Sequence, residues 1–141
     1  MGHEAQSVGQ QGWQLAGDVI VSRWVGTVTL PELEAFLAFA DRCIVQIEHP
    51  LLIVDNRRAA PGLPEVRKRL VSWARSQAHF AGVAVFGGDV ATRAIGTLII
   101  NAIALLSRRK SHIVLVADEA AARAWVDERR QQLQTSRAQQ A

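Results

Sequence analysis

The sequence predicts an α/β fold: a mixed five-stranded sheet with an N-terminal antiparallel hairpin, the remaining strands parallel, and about four flanking helices. Three observations carry that expectation. Short apolar runs at Leu51–Asp55, Gly82–Phe86 and Ile113–Val116 alternate with helical patterns at Leu63–Ala78, Val90–Leu106 and Glu119–Arg130. That alternation marks crossover units and a parallel sheet. Upstream, two strand-like runs flank Gly17-Asp18, a two-residue turn of the kind that closes a hairpin. The length agrees, since 141 residues suffice for one core and are too few for two.

In chain order, residues 1–10 (MGHEAQSVGQ) are polar and aperiodic and read as a flexible arm. Residues 11–130 form a single domain. In its second strand Ile20, Ser22 and Trp24 point one way and Val19, Val21, Arg23 and Val25 the other. Thr29-Leu30-Pro31-Glu32 reads as a capping box with proline in the first turn. Leu33, Phe36, Leu37, Ala40 and Ile44 follow at helical spacing, and His49-Pro50 stops that helix. Leu51-Leu52-Ile53-Val54 is continuous enough for a strand covered on both faces. Pro61-Gly62 lies in the loop beyond it, and Pro64-Glu65 open the next helix. That helix turns Val66, Leu70, Trp73, Ala74 and Gln77 to one face, with Arg67, Lys68, Arg69 and Arg75 as a solvated charge run. Asp89 or Thr92 caps the third helix and Asp118 the last, whose buried face carries Ala121 and Trp125. Beyond Arg130 the string QQLQTSRAQQA loses its periodicity, so residues 131–141 read as a flexible tail.

Composition narrows the partners. The net charge of +3 is small and rests almost wholly on arginine, with Lys68 and Lys110 the only lysines. Without a clustered basic stripe it indicates no nucleic acid. A single cysteine, Cys43, forbids an internal disulfide and fits a reducing cytoplasm, where it reads as a buried, inert thiol. No basic stretch followed by an apolar run suggests a signal peptide, and Val90–Leu106 is too short and too interrupted to span a bilayer. The chemistry of catalysis is thin. Ser72, Ser76 and Ser107 lack a nucleophile-elbow context. His3, His49, His79 and His112 lack metal-ligand spacing. The expectation is therefore no enzyme, no metal and no cofactor.

Three strings, in order, carry a family resemblance: LLIVDNR from Leu51, TRAIGTLIINAI from Thr92 and VADEAAARAWVDERR from Val116. Together they resemble the SpoIIAA-like branch of the STAS/Sec14-type domains over residues 12–130. The resemblance implies a mixed sheet flanked by helices and a regulatory or ligand-binding role without established catalysis. Antagonists of anti-sigma factors with this fold carry a phosphorylatable Ser or Thr after the strand that here ends in Asp55. The corresponding stretch, Pro61-Gly62-Leu63-Pro64, has no hydroxyl, which argues against a phosphorylation-driven switch.

Two sites follow. Open α/β sheets bind ligands beyond the carboxyl ends of their parallel strands, where this chain delivers Asp55, Arg57 and Arg58, then Gly87, Gly88 and Arg93. These residues could hold an anion such as a phosphate or a lipid headgroup, or Asp55 could pair with Arg93 or Arg58 and pin the loops. The third helix has one narrow polar strip, Arg93, Thr97 and Asn101. A surface helix needs an apolar arc of roughly 100°, and the arc here is about twice as wide. The surplus flank, Gly96, Ile99, Ile100 and Ile103, is either deep in the core or a self-association surface. The leading expectation is a non-enzymatic module that binds a protein partner and self-associates. The alternative is a carrier or sensor of a small anionic or lipid-like ligand, which needs a cavity lined by the third helix.

Overall fold

The computed structural model of the chain describes residues 3–76, 80–106 and 112–140, so Gln77, His79 and Ser107 lie outside the described residues. Three strands come first: β1 (His3–Val8), β2 (Gln11–Ala16) and β3 (Val19–Gly26). The crossover units follow as α1 (Leu30–Gln46), β4 (Leu51–Ala59), α2 (Pro64–Ser76), β5 (Gly82–Phe86), α3 (Val90–Leu106), β6 (Ile113–Val116) and α4 (Glu119–Gln140). The six strands lie side by side in chain order. Pairing is antiparallel from β1 to β3 and parallel from β3 to β6.

The sheet has one strand more than expected, because residues 3–8 are an edge strand and not an arm. They pair with β2 from His3↔Ala16 to Val8↔Gln11, turning at Gly9, whose φ of 60° suits glycine. An edge strand draws its order from the ladder on one side, so it need not carry an apolar face. Gln6 adds a tie by accepting from Trp13 Nε1 at 2.9 Å. The expected C-terminal tail is likewise helical, since α4 runs on to Gln140. Leu133 packs on the core and Arg137 Nη1 reaches Glu48 Oε2 at 2.8 Å.

Local chemistry fixes the junctions. The capping box at α1 is complete, with Glu32 N–H donating to Thr29 Oγ1 and Thr29 N–H to Glu32 Oε1. A bulge shifts the β3–β4 register between Arg23 and Val25. Val25, which has no partner on β2, is bonded instead by the buried Gln11 amide. Its N–H donates to Gln11 Oε1 at 2.7 Å and its carbonyl accepts from Gln11 Nε2 at 2.9 Å.

Because the strands succeed one another across the sheet, crossovers of one hand put all three connecting helices on the same face. That face packs Ile20, Trp24 and Leu52 against Leu33, Phe36 and Leu37 of α1, Trp73 of α2 and Ile103 of α3. Cys43 is buried here. On the other face Val19, Leu51, Ile53, Ala84 and Phe86 meet α4. Of the described residues of α4, Ala122 and Val126 are the buried ones, and the expected Trp125 packs half-buried on the same core beside them, with Ala121 also half-buried. No helix among the described residues is long and apolar enough to cross a membrane.

Candidate functional site

Alternate residues of a strand share a face, so β3 to β6 offer Trp24, Leu52, Val54, Val83, Val85, Ile113 and Leu115 to the side of the three helices. Val66, Leu70, Trp73 and Ala74 of α2 stand over part of this surface. Helix α3 leans on α2. Beneath it is a cavity of about 590 Å³ whose roof is Ile95, Gly96, Ile99, Ile100 and Ile103. Protein interiors rarely leave voids larger than a water molecule, whereas small-molecule sites occupy roughly 300–1,000 Å³.

The flank Gly96, Ile99, Ile100 and Ile103 therefore faces inward, towards the cavity, and is not the outer surface of α3. The polar strip explains the orientation. Arg93, Thr97 and Asn101 are exposed, which turns the opposite side of the helix to the sheet. The large apolar residues that α3 leaves outside are Val90 at its start, Leu98, 61% exposed, and Leu105, 85% exposed.

Polar atoms in the wall are few and mostly committed. The buried Ser22 hydroxyl donates to the Ile53 carbonyl at 3.2 Å and accepts from Trp24 Nε1 at 3.0 Å. Asn56, Arg67 and Thr92 lie in the wall, as do Glu48, His49, His112 and Arg129.

The six residues expected at the strand ends are only partly brought together. Strand β4 does not stop at Asp55 but continues to Ala59, which puts Asp55 and Arg57 on one face. Arg57 Nη2 meets Asp55 Oδ2 at 2.7 Å and Nε meets Oδ1 at 3.1 Å. The Arg57 guanidinium also lies over the Phe86 ring and 3.6 Å from Glu119. Burial pushes the Asp55 carboxyl up, but the bonds from Arg57 more than reverse this and hold it below the usual carboxylate range. In turn, Asp55 raises the Arg57 guanidinium. Gly87, with φ at 84°, allows close approach, since a Cβ there would lie 2.7 Å from the Arg57 nitrogen. Gly88 abuts Thr92 and the Asn56 carbonyl.

Arg58 and Arg93 are exposed and in no ion pair among the described residues. Arg93 belongs to α3 and so to the other side of the sheet from Arg57. Asp89 caps α3, accepting from Thr92 N–H at 2.8 Å, a bond that lowers its carboxyl. The cluster thus pins β4 to the β5–α3 loop and to α4, and its guanidinium is already occupied by a carboxylate. Among the described residues no group of three or more His, Cys, Asp or Glu could hold a metal ion.

Sequence reasoning missed Arg67, placed with the solvated charge run. The signal was its spacing: Arg67, Leu70 and Ala74 are three and seven apart and share a helix face. Compared with known proteins, the chain matches no family model, no curated protein and no solved structure.

Proposed function

We propose that the chain binds an apolar, lipid-like small molecule beneath α3 and acts as a carrier or sensor, with no catalytic chemistry of its own. The observation that carries this reading is the cavity of about 590 Å³ walled by aliphatic and aromatic side chains from the sheet, α2 and α3. Apolar walls of this extent left to water are costly, and an apolar ligand would cover them. The SpoIIAA-like reading of the three sequence strings is kept alongside it, since that branch implies a regulatory or ligand-binding role. The cavity is lined by α3, as a carrier requires, and the reading rests on it and not on the Arg57 guanidinium, which Asp55 already holds.

The test is titration with N-phenyl-1-naphthylamine, a neutral apolar dye, followed by displacement with a long-chain alcohol. The expected result is saturable enhancement at one dye per chain, reversed by the alcohol. Absence of saturable binding rejects the proposal.

A second reading, a module that binds a protein partner or its own copy, is favoured by one observation: Leu98 and Leu105 stand exposed on the outer side of α3. An oligomer that becomes monomeric in Leu98→Glu, with dye binding unchanged, supports it. A monomer at high concentration rejects self-association.

A further inference from the structure

Among the described residues, one buried side-chain polar atom lacks a hydrogen-bond partner, and it belongs to the cavity wall. The Nε of Arg67 is buried and without a hydrogen bond, and Arg67 is in no ion pair among the described residues. Its neighbour Arg69 by contrast holds Glu34. A buried donor left unmade is costly, so the Arg67 Nε–H is poised for an acceptor that the described residues do not supply.

Its place is defined. Gly62, in the loop leaving β4, lies against Arg67, since a Cβ there would be 3.5 Å from Arg67 Cγ. The end of β4 just before that loop is tied to α3, Thr92 Oγ1 donating to the Ala59 carbonyl at 3.3 Å. Arg67 therefore stands where the cavity meets the carboxyl ends of β4 and β5, the ligand-binding end of an open α/β sheet. The other arginine of the wall, Arg129, already donates to the Ala81 carbonyl at 2.9 Å and to Gln132 at 3.3 Å.

We infer that the ligand is an amphiphile whose apolar tail lies beneath α3 and whose anionic head, a carboxylate or a phosphate, is received by Arg67. This rests on the cavity binding an apolar molecule at all.

Displacement of N-phenyl-1-naphthylamine by three probes with one tail tests it: oleate, oleoyl lysophosphatidate and oleyl alcohol. At least one anion is expected to bind about 10- to 100-fold tighter than the alcohol, the worth of a hydrogen bond to a charged group. Which anion does so identifies the head as carboxylate or phosphate. Arg67→Met is expected to erase that margin and leave the alcohol unchanged, with Arg67→Lys restoring part of it. Equal binding of all three probes by the unmutated chain overturns the inference and spares the cavity. Loss of anions and alcohol alike in Arg67→Met, with Arg67→Lys no better, overturns it too, because Arg67 is then only packing. If none of the three displaces the dye or the dye itself does not bind, the cavity proposal falls and the inference with it.

Discussion

Gly96 of α3 and Leu115 of β6 meet at van der Waals range in the cavity wall. A Cβ on Gly96 would lie 3.9 Å from Leu115 Cδ2 and, outside its own helix, within 4 Å of nothing else. The side-chain position at Gly96 thus opens into the cavity. Gly96→Phe is expected to fill that space and abolish dye binding. Replacing glycine by phenylalanine in a helix interior favours the helix by about 0.5 kcal/mol, so the melting temperature should hold or rise. Dye binding that survives in a folded Gly96→Phe chain would place the dye elsewhere.

Ser22 is a hub inside the sheet. Its hydroxyl joins Trp24 Nε1 to the Ile53 carbonyl across β3 and β4. Ser22→Ala leaves the Trp24 donor buried and unpaired, at a cost of about 1–3 kcal/mol. Denaturant unfolding should show a lower midpoint with an unchanged slope. A midpoint equal to that of the unmutated chain would mean that Trp24 finds another acceptor.

The Asp55–Arg57 pair makes stability depend on acid. Asp55 titrates below its ordinary value of 3.8 in the folded chain, so the folded state holds fewer protons there than the unfolded one. The stability gained is complete above about 3.8 and is lost as pH falls through the lower folded value. Asp55→Asn is expected to cost about 1–3 kcal/mol at pH 7, towards the lower figure because Arg57 is partly in solvent. It should also flatten the acid limb of a stability–pH curve. Arg93→Ala should leave the melting temperature unchanged, and a clear loss would show that Arg93 pins the loop after all.

Much of the fold was legible because it rests on period and punctuation. The alternation from Leu51 gave the crossovers, Gly17-Asp18 the hairpin, and Thr29 with Glu32 the start of α1. β1 was not legible, since His3–Val8 is held by backbone pairing that leaves no apolar trace. The end of α4 was missed because beyond Arg130 a single leucine, Leu133, marks its buried side. At the site, the wide apolar arc of α3 was visible, but periodicity tells which residues avoid water and not how far a helix stands from its sheet. Ending β4 at Asp55 hid the pairing with Arg57, because only a continuing strand puts those two on one face.

The most direct measurement is tryptophan quenching by a bromine-labelled long-chain alcohol, which acts at contact range. Trp24 and Trp73 line the cavity, whereas Trp125 sits on α4 beneath the opposite face. Binding beneath α3 requires saturable quenching that persists in Trp125→Phe and is largely lost when Trp24 and Trp73 are both changed to Phe. Quenching that follows Trp125, or that rises without saturation in every variant, would contradict it.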